Sequence, residues 1–440
     1  MAEKKRMANL ELLRCVAMMM VVVLHFLGKG GLLTGGDRVL SDGAAALDGT
    51  GYAAWLLEAS CIVAVNVYML ISGYFLCCSS FKLSRLIQLW LQVWFYSVAV
   101  GVLAAAAGVV EGTAVDVHYY LTLLFPVSME HYWFMTAYLF LYVLLPVAGL
   151  AVRQMTKGQM KAAVLLLLGV FCGLKSVVPF RLDVDRKGYD VLWYLCVFVA
   201  AAYLRRFGLP WRKGKWKCLL LYAASCLLAF GGTMILHRVY LCTGKLSWIV
   251  NVCMEYNHVL PLLGAVGLFG FFLHVRVPDK IAPVINKVAG CTLGVYLLHE
   301  NLGLRYAWQP WLGAGEVTGV GSLLARTITS VIIVFACGIL VEALRATVEK
   351  GLCRVLGKAG VFHRISERIL SVDRLFQGGM SQGGAARETA PQGEVPGDGT
   401  ARETASQGEV SQDGAARETA PQGEVPGGAA ARGTDEKGLR

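Results

Sequence analysis

Arg14 and His25 lie eleven positions apart in one apolar stretch, Met7 to Gly28, which reads MANLELLRCVAMMMVVVLHFLG. That length suffices to cross a bilayer as a helix, which takes about 20 mostly apolar residues. At about 100° per residue, eleven steps end roughly 20° past three full turns, so both side chains project from one face, about 16 Å apart along the axis. Glu11 precedes Arg14 by three residues, a spacing at which opposite charges pair. Ionisable groups at membrane depth are costly and usually face a bundle interior or a cavity. The chemistry on offer is an imidazole that can move a proton near neutral pH and, three turns away, a guanidinium suited to an anion. The plainer alternatives are an arginine snorkelling to headgroups and a histidine satisfied in the core. Two such groups on one face weigh towards function.

Four further places carry reactive or polar groups. Lys82-Leu-Ser-Arg85 sets two cations at i,i+3, fit for phosphate or simply topological charge. Asn66 and Gly73, in NVYMLISGYF, read as interhelical packing. His131-Tyr132-Trp133-Phe134 reads as an aromatic interface belt, although aromatics also line sugar sites. His299-Glu300 ends the stretch TLGVYLLHE; a zincin needs a second histidine four residues on, and position 303 is Gly, so no metal is expected. P-loop and dinucleotide fingerprints are missing from the chain.

Helices must position these groups. Of 440 residues, 56% are hydrophobic, and apolar runs of membrane length recur. The expectation is an all-α, polytopic membrane bundle of ten spans: Met7–Gly28, Tyr52–Cys77, Leu86–Gly108, Tyr132–Val152, Lys161–Val178, Asp190–Leu204, Cys218–Leu236, His258–Leu273, Val288–Leu304 and Arg326–Leu344. The sixth and ninth are the shortest. The first apolar run reads as a signal anchor, not a cleaved peptide. The net charge of +11 sits in short clusters between spans, among them Lys82, Arg85, Arg153, Arg205 and Arg206, alternating with loops poor in Lys and Arg. That bias places both termini in the cytoplasm, His25 in the outward half of the bilayer and Arg14 in the inward half. The thirteen cysteines stand without zinc-type pairs, and a disulfide framework is not expected. The organisation is a membrane domain over 1–350, an amphipathic surface helix over 351–376 and a tail over 377–440. The tail repeats a 15-residue unit from Ala386, Ala401 and Ala416, has almost nothing to bury and is expected to be disordered.

NLELLRCVAMMMVVVLHF resembles the opening of the acyltransferase-3 family of integral membrane acyltransferases, which modify bacterial surface glycans and lipids. That family carries an arginine, ten intervening residues and a histidine in its first helix, as Arg14 and His25 do. SGYF, YWFMTAYLFLYVLLP and TLGVYLLHE resemble it too, in the family's order, over roughly residues 7–350. One position departs: better-characterised members open the third helix with two arginines, and here the first is Lys82, a point charge without the bidentate fork.

The resemblance implies a plasma-membrane enzyme that transfers an acyl group, commonly acetyl from acetyl-CoA, to a hydroxyl of a carbohydrate or lipid-linked glycan. His25 would act as general base, or as carrier of a covalent acyl group, and Arg14, Lys82 and Arg85 would hold the CoA phosphates. The axial spacing from Arg14 to His25 matches the reach of an extended pantetheine arm. Glu11 would orient Arg14, and His131, Trp133, His299 or Glu300 would contact the acceptor. No permanently bound cofactor and no nucleic-acid partner are expected. Two rivals stay open: an exporter or flippase using the same polar face, and a structural or regulatory subunit with the tail as tether.

Overall fold

The computed structural model describes residues 7–33, 47–178, 186–208, 214–356 and 360–383. The tail repeats lie outside the described residues. Everything ordered into regular structure there is helical: α1 Ala8–Lys29, α2 Gly49–Leu76, α3 Leu83–Ala106, α4 Val117–Leu124, α5 Trp133–Gln154, α6 Lys157–Val177, α7 Val191–Phe207, α8 Lys215–Thr243, α9 Val259–Leu273, α10 Ala282–His299, α11 Trp308–Trp311, α12 Val320–Leu356 and α13 Gly360–Gly383. Polar caps set several starts. Asp48, Asp116 and Asp190 each accept a backbone N–H three residues on, and Thr156 with Gln159 closes a capping box.

Among the described residues eight helical segments are long and apolar enough to cross a membrane, two fewer than the sequence suggested. The two that fall short are the sixth and ninth. α7 has only 17 residues, and α10 carries Asn286 and Lys287. Both are nevertheless helices packed inside the bundle, α7 against α2 and α10 against α1 and α12. α12 also runs past Leu344 to Leu356, through residues assigned to the start of the surface helix. The helix that follows is α13. Its Asp373 accepts from the backbone N–H of Ser84 at 3.2 Å and from the Ser84 hydroxyl, and Phe376 meets Phe81 edge-on at 5.0 Å. A carboxylate thereby satisfies donors that the first turn of α3 leaves open.

α1 and α2 form the inside of the bundle: 61% and 72% of their apolar stretches are buried, against 17% for α6 and 22% for α8. Outer residues such as Leu166, Leu220 and Ile332 are mostly exposed, as suits helices solvated by lipid. Asn66 and Gly73 do pack between helices. Asn66 accepts from Trp193 Nε1 at 2.9 Å and donates to the Tyr256 carbonyl at 2.8 Å. A Cβ on Gly73 would stand 2.8 Å from that of Ala201.

The contact between α10 and α12 matters most for the site, and small residues close it. A Cβ on Gly338 would lie 2.6 Å from Val295 Cα, and one on Gly294 would lie 2.7 Å from Glu342 Cβ and Tyr96 Oη. Lipid supplies no hydrophobic drive between helices, so this approach rests on close packing. Gly338→Ala is expected to destabilise by about 1–3 kcal/mol through overpacking and to lower the thermal midpoint in detergent by several degrees. Gly231→Ala, whose Cβ meets nothing within 4 Å, is expected to leave that midpoint unchanged or raised.

Candidate functional site

A cavity of about 520 Å³ follows α1 along its length. Met7, Glu11, Arg14, Met18, Val21 and His25 all line it, the three- and four-residue steps of one helical stripe. From Met7 to His25 the stripe covers about 27 Å at 1.5 Å rise per residue. Arg85 and Arg205 line the same cavity, as do Trp133, Tyr256 and Tyr296. Glu11 and Arg14 pair at 2.9 Å, and the Arg14 carbonyl accepts from Tyr68 Oη at 2.9 Å. One face of α1 thus presents an arginine and a histidine to a shared interior, as the spacing predicts.

His25 is held from behind by α10. His299 Nδ1 lies 2.6 Å from the Val295 carbonyl, which only accepts, so this nitrogen carries the proton. In the neutral ring Nε2 is then an acceptor, and it lies 2.9 Å from His25 Nδ1. His25 therefore donates from Nδ1, also towards Glu300 Oε1 at 3.3 Å. Its Nε2 is left as the lone-pair nitrogen, the form a general base needs.

Glu300 anchors the cluster. Its carboxylate is 5% exposed and takes the Lys29 ammonium on Oε1. Its carbonyl accepts Arg305 Nη2 at 3.0 Å, and Arg305 reaches on to the His131 carbonyl at 2.7 Å. Trp308 donates to the His299 carbonyl at 3.1 Å, and Gln309 to that of His25 at 3.3 Å. Donor atoms of His25, His299 and Glu300 lie within 4.8 Å of one another, a grouping that can hold a metal ion and that no sequence spacing reveals. Here those donors are bonded to one another, and Lys29 supplies the positive charge.

The sequence candidates divide. Glu11, Arg14, His25, Arg85 and Trp133 line the cavity; Lys82, His131, His299 and Glu300 do not. Lys82 is exposed, and its backbone N–H donates to the Tyr142 hydroxyl at 3.2 Å. His131 is consumed by structure: Nε2 accepts the Leu302 N–H at 2.7 Å, so Nδ1 donates to Ser97 Oγ at 2.8 Å. Burial, reinforced by Arg305, pushes this imidazole down to about 3. Sequence reading missed Lys29, Arg305, Trp308, Gln309 and the cavity role of Arg205. Lys29 stands four residues beyond His25, on the same helix face, and was legible; Arg305 and Gln309 carry no local signal.

The family model of acyltransferase-3, described as an acyltransferase domain, matches residues 7–342. No curated protein and no solved structure matches the chain.

Removing one partner of a buried ion pair strands the other. Lys29→Met is expected to cost about 3–5 kcal/mol, seen as a lower thermal midpoint in detergent. Lys29→Met with Glu300→Gln is expected to recover most of that loss.

Proposed function

The chain belongs to the acyltransferase-3 family of multi-pass membrane acyltransferases, and on that footing we propose that it moves an acetyl group from acetyl-CoA to a hydroxyl of a cell-envelope carbohydrate. The observation that carries the reading is one cavity with arginines at one end of α1 and the lone-pair nitrogen of His25 three turns away. Arg14 and Arg85 take the carrier's phosphates, and the pantetheine arm runs along the α1 stripe. Lys82, with its exposed side chain, contributes only long-range positive charge.

The transfer then proceeds in one displacement. His25 Nε2 accepts the proton of the acceptor hydroxyl as its oxygen attacks the thioester carbonyl. The C–S bond breaks, and the departing sulfur takes the proton back from His25, leaving an ester and CoA thiol. Glu300 and the His299 ring, both on His25 Nδ1, steady the imidazolium that forms between these steps. Counting α7 and α10, the chain crosses a bacterial inner membrane ten times with both termini in the cytoplasm. The donor then loads from inside, and the acceptor is modified in the outward half.

Membranes carrying the protein are expected to release CoA thiol from acetyl-CoA. His25→Ala is expected to reduce that release by roughly 10²- to 10⁴-fold at normal abundance. His299→Ala is expected to lose less, roughly 10- to 100-fold, because Glu300 still accepts from His25 Nδ1. Unchanged release in His25→Ala would sink the reading. Mass spectrometry of envelope glycans from a deletion strain should show polymer lacking acetyl groups; missing polymer would favour export instead.

A further inference from the structure

Five arginines or lysines sit at the ends of α3, α5 and α7, Arg14 of α1 shares a cavity with two of them, and the structure separates the six by what they do. Arg206 donates to the Val152 and Met155 carbonyls, tying α7 to the end of α5. Arg153 donates to the carbonyls of Cys77 and Ser79, both at 3.3 Å, closing the turn after α2. These two satisfy carbonyls that helix ends leave open. Lys82 is exposed and off the cavity wall. Arg14, Arg85 and Arg205 remain, and all three line the cavity.

Of these, Arg14 is already paired with Glu11. Arg205 is different. Its guanidinium lies over the Tyr74 ring, 4.6 Å to the centroid. Arg205 also hydrogen-bonds the Tyr74 and Cys78 side chains, and a guanidinium carries five N–H donors, so those that remain can take a phosphate. Tyr74, Cys78 and Ser79 stand on the same wall, so the end of α2 holds Arg205 against the cavity.

We infer that Arg205 is a phosphate-binding residue for the donor, completing with Arg14 and Arg85 the anion site that Lys82 does not reach. The inference rests on the acyl-transfer reading and goes beyond it in assigning a residue of α7 to donor specificity. The chemistry recognised is a phosphorylated thioester carrier, bound bidentately at one phosphate. An anionic lipid headgroup presents the same chemistry, and the experiment separates the two.

The test uses full-length protein in nanodiscs of neutral phosphatidylcholine, supplied with solubilised cell-envelope glycan as the hydroxyl acceptor. In Arg205→Gln, Kd for CoA and KM for acetyl-CoA are expected to rise about tenfold with kcat within twofold. Turnover of S-acetylpantetheine, which lacks the nucleotide and its phosphates, is expected to stay at the wild-type rate, which also shows that the variant is folded. Arg205→Lys is expected to fall between, since charge survives and the fork does not. Unchanged Kd, equal losses with both donors, or an effect confined to nanodiscs containing anionic lipid would overturn the assignment. If wild-type protein releases no thiol from either donor, the acyl-transfer reading falls and the inference with it. A normal Arg205→Gln in an active background sinks Arg205 alone.

Discussion

A carboxylate withdrawn from water must be neutralised where it stands, and the site is arranged around that demand at Glu300. Lys29 and His25 of α1 both approach its Oε1, while Arg305 binds its carbonyl. The attraction crosses from the first helix to a segment some 270 residues later, fastening the start of the domain to its end. Desolvation makes such a cluster intolerant of partial assembly. The same cluster leaves His25 one available protonation pattern, Nδ1 spent on His299 and Glu300 and Nε2 holding the lone pair, on a residue that lines the cavity. Neutralising the carboxylate and fixing the tautomer of His25 are therefore met by one set of contacts.

Packing supplies the precision that charge alone lacks. The His299 ring is oriented by the carbonyl of Val295, one turn earlier on α10. Val295 in turn is pressed against Gly338 of α12. A glycine with no chemistry of its own thus governs where an imidazole sits. Beside it, Glu342 receives Tyr96 and Gln92 from α3 and is neutralised by Arg345. The polar groups of α3 and α12 that meet at Glu342 are thereby paired, as a lipid environment requires.

Much of this was legible in the sequence because helical periodicity is a local property. Arg14 and His25 share a face as soon as Met7–Gly28 is helical, and the cavity runs along that face. The all-helical bundle follows from the recurrence of apolar runs. The polar partners were less accessible. His25 meets His299 across 274 positions, and nothing in TLGVYLLHE says which helix it faces. His131 resembled a substrate contact by type alone, yet its ring is spent on Leu302 and Ser97. Arg205 and Arg206 are neighbours with the same topological meaning, and only the tertiary fold sends one to the cavity and the other to carbonyls. The sixth and ninth expected spans, α7 and α10, are helices that fall short of membrane-crossing length and composition, for a related reason: a helix packed against protein need not be as long or as apolar as one bathed in lipid.

The clasp between α13 and the head of α3 has a bearing on biogenesis. Asp373 closes a loop of 289 residues onto Ser84, one position from Arg85. During synthesis the chain emerges from its N-terminus, and α3 is threaded long before residues 373–376 leave the ribosome. The first turn of α3 therefore waits with its backbone donors uncapped through most of translation. The segment bearing Arg85 reaches its finished geometry only when the last described helix arrives, making this end of the cavity one of the final parts of the protein to set.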